Sequence, residues 1–309
     1  MFKGVDFWPH DKIFPIMQVR RSFVIASIVV FCLAVGLLAT RGLNFGIDFK
    51  GGSLFEIQSK SGPVDIGELR AKLGGLGLGS VQIQQLDDPT DALIRFEQQK
   101  PKEGESSEKA QQNAAAKVQD ALGDDIEIRR TEVVGPAVSG ELAWAGVTAV
   151  MFAMVGILLY IWFRFEWQFA IAAIVALVHD ITITLGVFSI LRLDFGLSEV
   201  AALLTLAGYS INDTVVVFDR IRENLRRYKK MPLDQLMNLS INETLSRTVL
   251  TSGTTLLAVL SIYVFGTEVI KGFAFAMLFG ILIGTWSSIF VASPFLLWIG
   301  VKRDWSGIA

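Results

Sequence analysis

Apolar residues are gathered into six long runs, and one polar stretch interrupts them. The runs fall at 22–40, 141–163, 167–191, 197–218, 246–265 and 270–300. Each holds enough consecutive apolar residues for a helix crossing the hydrocarbon core, which takes about 20. The last is longer than a bilayer requires, and Ser293-Pro294 predicts a kink or an end there. Very short links, Arg164-Phe165-Glu166 and the residues around Arg192 to Gly196, make the second, third and fourth runs antiparallel neighbours. The first run has a positive flank, as a secretory signal does. It is longer than the 7–15 apolar residues of such a signal and ends in Ala39-Thr40-Arg41, so it reads as a retained anchor.

Between the first two runs the period changes. SLFEIQ (53–58) alternates as a strand, and DIGELRAKL (65–73) has the spacing of a short helix. VQIQQL (81–86) and ALIRFEQ (92–98) alternate on either side of the turn signal Asp87-Asp88-Pro89. A charged helix follows at about 105–122, and IEIRRTEVV (126–134) is the last strand; Lys100 to Glu108 reads as a solvated loop. The order βαββαβ predicts a ferredoxin-like α+β domain. The fold class expected is therefore an α-helical membrane protein with six transmembrane helices and one such domain. Its parts are an N-terminal segment 1–21, the first span 22–40, the domain at 41–140, a five-helix remainder at 141–300 with a loop at about 219–245, and a tail 301–309.

Composition agrees with two environments on one chain. Apolar residues make up 52% and charged residues 19%, with a mean hydropathy of +0.49, whereas soluble domains carry roughly 25% charged residues. A net charge of −2 offers no general attraction for nucleic acid. One cysteine, Cys32, and two distant histidines assemble neither a disulfide framework nor a Cys/His metal site. The charges do report orientation. Lys3, Lys12, Arg20 and Arg21, then Arg164, then the cluster from Arg220 to Lys230, then Lys302 and Arg303 all fall on one side of a six-span path. The opposite short loops hold only Arg192 and Lys271. Both termini are expected in the cytoplasm and the domain outside it.

The candidate chemistry lies inside the apolar runs. Asp213 is six residues from Asp219, or about 9 Å deeper along a helix. A carboxylate at mid-membrane costs roughly 2.5–3.5 kcal/mol, so it faces the bundle interior and has a partner or a protonation role. Arg247 is the expected partner; with Thr251 and Thr254 it forms an i, i+4, i+7 stripe. Ser210, Asn212 and Thr214 supply polar groups around Asp213. Burial and a cation push a carboxylate's proton affinity in opposite directions, so an Asp held between them can load and release a proton. The other reading is a static ion pair that sets helix packing. His179-Asp180 is a second polar island, either part of a proton path or two packed polar residues. Gly280-x-x-x-Gly284 reads as close helix packing. Gly208-Tyr209-Ser210-Ile211-Asn212 begins like a nucleophile elbow, with His179 and Asp180 as nominal triad members, but Asn212 stands where the second glycine belongs. GIDFKGGS (46–53) marks either an ordinary turn or a domain–membrane junction built on Asp48, Gly51 and Gly52.

Four motifs in order, GIDFKGGS, VVGPAVSGEL (133–142), GYSINDTVVVFDRIREN (208–224) and TLSRTVLTSGTTLLAV (244–259), resemble the SecF subunits of the SecD/SecF family, within the RND superfamily. The likeness runs through nearly the whole chain. It implies a multi-pass subunit of the bacterial inner membrane with a periplasmic domain, working without cofactor and with the proton as coupling ion. Asp213 would carry the proton, Arg247 would modulate it, and Asn212 stands where the family's first acid is expected. Implied partners are a SecD-like subunit at about 1:1, the SecYEG channel, YajC, the preprotein and membrane lipid, with no nucleic acid and no bond-making active site. The alternative is half of an RND-type small-molecule exporter; a passive scaffold is a third.

Overall fold

Helical propensity carries several elements past the ends of their apolar runs. The computed structural model describes residues 13–79, 81–101 and 104–301. In chain order the elements are α1 (Ile16–Arg41), β1 (Asn44–Phe45), α2 (Ile47–Lys50), β2 (Gly52–Ser59), α3 (Ile66–Gly74), β3 (Val81–Gln85), β4 (Asp91–Phe96), α4 (Ser107–Leu122), β5 (Ile126–Val134), α5 (Pro136–Arg164), α6 (Trp167–Leu191), β6 (Asp194–Phe195), α7 (Leu197–Arg227), α8 (Leu233–Phe265), α9 (Glu268–Ser287), a π-helical turn (Ser288–Ala292) and α10 (Ser293–Ile299). Six helical stretches are long and apolar enough to cross a membrane, the sixth running from α9 through α10. Lys3, Lys12, Lys302 and Arg303, which enter the orientation argument, and Lys102-Glu103 of the polar loop lie outside the described residues.

The segment at 219–245, expected as a loop, is helical except at Tyr228–Pro232. Its charges end the hydropathy signal, but its apolar residues keep helical spacing. Ile221 and Leu225 of α7 and Leu236, Met237 and Ile241 of α8 are all fully buried. Asn224 Nδ2 donates to Ser240 Oγ (2.9 Å) and Glu243 Oε2 (2.7 Å), tying the two extensions together. Pro136 opens α5, where its missing N–H costs nothing. Pro294 does not end the last helix. The π turn absorbs the disruption just before it, and Ser293 Oγ donates to Ser288 O at 2.9 Å across that turn.

The chain divides into two units, one of residues up to Asn44, Val150–Leu193 and Ser198 onward, the other of Phe45–Ala149 with Asp194–Leu197. In the helical unit α6 and α7 are the most enclosed; Phe169, Leu177 and Phe218 are buried there. α1 packs as a member of this bundle. Its Ala34 meets Gly186 of α6 so closely that a Cβ on Gly186 would lie 2.5 Å from the Ala34 Cβ. Trp286 Nε1 donates to Ser27 Oγ at 3.0 Å, and Asn238 Oδ1 accepts the Met17 N–H at 3.0 Å. Cys32 is exposed on α1. Gly280 lies against Leu206 and Gly284 against Ser210, so the small residues mark close helix contact.

The second unit is a four-stranded sheet in the order β3-β4-β2-β5, every neighbouring pair antiparallel, with α3 and α4 packed on it. This is the ferredoxin-like split unit. Phe55 and Ile57 of β2, Ile94 and Phe96 of β4, Leu73 of α3 and Val118 of α4 make its core. Asp65 caps α3 by accepting the N–H groups of Gly67 and Glu68, and Ser106 caps α4 through Lys109 N–H. Only the ends of the expected strands shift, by a residue or two, as ends usually do.

Candidate functional site

Among the described residues three carboxylates are buried in the helical unit, Asp180, Glu199 and Asp213, and those of Asp180 and Asp213 are each held by hydroxyls from two other elements. Asp213 of α7 is 6% exposed. Its Oδ1 accepts from Thr248 Oγ1 of α8 at 2.7 Å and its Oδ2 from Ser288 Oγ of the π turn at 2.6 Å. Asp180 of α6 is fully buried. Its Oδ2 accepts from Ser210 Oγ of α7 and Ser287 Oγ of α9, both at 2.7 Å, and its Oδ1 lies 3.0 Å from His179 Nδ1. Adjacent serines, Ser287 and Ser288, therefore serve one aspartate each.

The stripe expected on α8 is displaced by one residue. Thr244, Thr248 and Ser252 face inward, while Arg247, Thr251 and Thr254 are exposed on the outer face of this single chain. Among the described residues no ion pair joins Arg247 to Asp213. One residue is about 100° of helix rotation, so two parallel polar stripes three or four residues apart are indistinguishable until the helix is packed. Asn212 is likewise exposed, since it points about 100° away from its neighbour. Ser210 is buried but serves Asp180 in place of Asp213. Thr214 is buried, and its hydroxyl has no partner among the described residues. Thr251 Oγ1 donates to backbone carbonyls of its own helix. Asp219 is exposed and pairs with Arg164 at 3.4 Å.

Thr248, Ser287 and Ser288 were not among the sequence candidates. The signal for them was present: Thr244-x-x-x-Thr248-x-x-x-Ser252 is an i, i+4, i+8 stripe, and Ser287-Ser288 is a hydroxyl pair inside an apolar run. The nominal hydrolase triad fails on geometry. Asp180 stands between Ser210 and His179, so the His179 imidazole does not reach the Ser210 hydroxyl to take its proton.

The glycine turn belongs to the second unit. Gly51 has φ 72° and Gly52 φ 127°, and a Cβ on Gly52 would stand 2.6 Å from the Phe96 carbonyl oxygen. A side chain there is excluded by both backbone conformation and space. Asp48 Oδ2 accepts the Leu197 N–H at 2.8 Å, and Gly46 N–H donates to Phe195 O at 3.0 Å. The phrase GIDFKGGS thus holds β6 and the first residue of α7 to the domain's opening turn.

A family model described as SecD/SecF GG Motif matches residues 36–62, and one described as Protein export membrane protein SecD/SecF, C-terminal, matches residues 114–302. The chain belongs to the SecD/SecF family. It is 50% identical over 289 residues to the protein translocase subunit SecF of Rhodobacter capsulatus, covering 90% of this chain and 86% of that one. It is 41% identical over 288 residues to the protein translocase subunit SecDF of Brucella abortus, covering 93% of this chain but 37% of that one. Among solved structures, it is similar to SecDF from Thermus thermophilus, described as a translocon-associated membrane protein. The TM-score is 0.84 at 36% identity, covering 95% of this chain and 40% of that one. This SecD/SecF member therefore spans less than half the length of relatives in which SecDF is a single chain. The segment matched by the GG-motif model contains the adjacent pair Gly51 and Gly52, the turn where geometry demands glycine.

Proposed function

We propose that this chain is the SecF half of a bacterial protein-export assembly that uses the proton gradient to favour forward movement and release of a preprotein on the periplasmic side. Membership of a family of protein translocase subunits supplies the transport role. The coupling reading is carried by Asp213, a carboxylate buried in a membrane-spanning unit and held by two hydroxyls. Moving one charge through a membrane potential is worth about 2.3 kcal/mol per 100 mV. A proton bound and released at Asp213 can draw on that energy. Arg247 precedes Thr248 by one residue, so a rotation of α8 by about 100° would exchange a hydroxyl for a cation near the carboxylate.

A SecD-like partner fits the outer face of α7 and α8. Asn212, Arg247, Thr251 and Thr254 are exposed there, and an arginine facing hydrocarbon costs roughly 2.5–3.5 kcal/mol. A second membrane chain in contact removes that cost, and SecDF relatives supply the two halves as one polypeptide. In this reading the assembly lies in the inner membrane beside the SecYEG channel and YajC. Both termini are cytoplasmic, the sheet domain faces the periplasm, and no bond-making active site is involved.

Asp213→Asn tests the mechanism. Proton-dependent export should be abolished while folding and partner binding persist; unchanged export at equal expression would leave Asp213 as packing alone. Copurification distinguishes the cargo. A SecD-like chain with the channel supports protein export, whereas an adaptor with an outer-membrane tunnel points to a small-molecule exporter.

A further inference from the structure

Asp180 has surroundings that repeat those of Asp213. Each carboxylate meets one hydroxyl of the Ser287-Ser288 pair, and each of those hydroxyls has a second acceptor one turn back on its own helix. Ser287 Oγ reaches Gly284 O at 3.1 Å as well as Asp180 Oδ2, and Ser288 Oγ reaches Thr285 O at 3.0 Å as well as Asp213 Oδ2. A hydroxyl with two acceptors can serve a carboxylate in both charge states. It donates to the anion. Beside the neutral acid it turns to its own carbonyl and accepts the acid's O–H. Neither state strands a buried polar group, which is the condition for a proton to come and go in a dry interior.

Ser288 begins the π turn, a kind of helix irregularity often found at functional sites. The two serines are joined by one peptide bond, so a displacement of that turn alters both carboxylates together. Gly284 permits the close approach, since a Cβ there would lie 3.2 Å from the Ser210 Cβ and 3.6 Å from Asp180 Oδ2. On the other side of Asp180, His179 is buried and stacks on Phe31 of α1 with ring centroids 6.3 Å apart. Its Nδ1 meets Asp180, and its buried Nε2 has no hydrogen-bond partner among the described residues. That imidazole offers an open proton-accepting or proton-donating position next to the acid.

We propose that Asp180, oriented by His179, is a second proton-binding carboxylate of the helical unit, and that the adjacent hydroxyls of Ser287 and Ser288 couple its occupancy to that of Asp213. The coupling rests on the reading of Asp213 as a proton carrier. The groups that face Asp180 are few. His179 lies on its own helix, and α7 presents Ser210 with Asp213 one turn further on. Among the described residues α9 presents Ser287 to Asp180, the π turn presents Ser288 to Asp213, and α1 lays Phe31 against the His179 ring. Beyond Asp213, α8 places Thr248 inward and the Arg247 cation on its outer face. Two carboxylates so placed titrate as an interacting pair, with apparent affinities that belong to both.

The test is infrared difference spectroscopy of the full chain with its SecD-like partner in lipid vesicles, following the carboxylic acid C=O bands as pH is changed. Among the titrating bands, one is expected from Asp180 and one from Asp213, each identified as the band lost in its Asn variant. Asp180→Asn should remove one and move the midpoint of the Asp213 band by about one pH unit, a tenfold change in proton affinity. Should that variant fail to assemble, Ser287→Ala in an otherwise intact chain should still shift the Asp180 band. An Asp213 band indifferent to Asp180→Asn, or an Asp180 band unmoved by Ser287→Ala, overturns the proposal and leaves the role of Asp213 standing. No titrating Asp213 band in the unaltered protein overturns the proton-carrier reading itself, and the coupling with it.

Discussion

The sheet domain and the helical unit bury opposite kinds of residue. In the domain the fully enclosed side chains are Phe55, Ile57, Leu73, Ile94 and Val118. Buried polar groups there are rare and paired: Gln111 accepts from Gln99 N–H and donates to Ser53 Oγ, both at 2.8 Å. In the helical unit Phe163 is 96% and Phe265 87% exposed, while Asp180, Thr184, Thr214, Ser240, Ser287 and Ser288 are fully enclosed. Water explains the first arrangement, because expelling apolar surface from it drives folding. In hydrocarbon that drive vanishes, and polar side chains instead seek partners inside the bundle. The two cores follow one rule in two solvents. The cost of an unpartnered polar group is the same in kind, and only the drive to bury apolar surface is lost.

The contrast predicts the ranking of substitutions. Phe55→Ala should destabilise the domain by about 3–5 kcal/mol, whereas Phe163→Ala should change stability by no more than about 0.5 kcal/mol. Limited proteolysis and thermal unfolding of the protein in lipid read both, and similar losses at the two sites would break the comparison. Next in size is Gly186→Ala, where a new Cβ collides with Ala34; overpacking should cost about 1–3 kcal/mol, while Gly140→Ala, with open space around it, should be neutral or slightly stabilising. Detergent-solubilised melting curves distinguish them. Ser288→Ala should cost only about 0.6 kcal/mol, the mean for a hydrogen bond between membrane helices, yet change the pH dependence of export. A large stability loss with an unaltered pH profile would assign Ser288 to packing.

The smallest effect belongs to the water-exposed side. The Asp88 carboxylate accepts the Thr90 N–H at 2.9 Å and its hydroxyl at 2.8 Å, and the backbone hydrogen bond is the main reason its pKa lies below the ordinary carboxylate value. Folding therefore favours the charged form. That contribution is present above the unfolded-state pKa and is lost as pH falls through the lower folded value. Asp88→Asn should remove this acid limb from the domain's pH–stability curve. Carboxyl NMR titration of Asp88 against a free aspartate checks the direction.

Much of this architecture could be read from one dimension. Alternation at 53–58 and 126–134 marked strands because successive side chains in a strand face opposite sides. Apolar runs of bilayer length marked the spans because a helix has a fixed rise per residue. The helices beyond 218 and before 246 were missed because charge ends a hydropathy window while leaving helical spacing intact. The site was legible in part. Asp213 stood out as a charge in an apolar run, but its holders did not, because serine and threonine in membrane helices often only bond their own backbone, as Thr251 does here.

By itself the sequence determined the six spans, the βαββαβ domain, an adjacent glycine pair at 51 and 52, and the presence of carboxylates at 180 and 213. These depend on periodicity, length and composition, which are local properties. Tertiary structure alone decided that Thr248 and not Arg247 meets Asp213, that Ser210 turns to Asp180, and that two neighbouring serines each serve a different aspartate. Such choices depend on the rotation of each helix about its axis, which is set by how all the helices pack together and is written in no single segment.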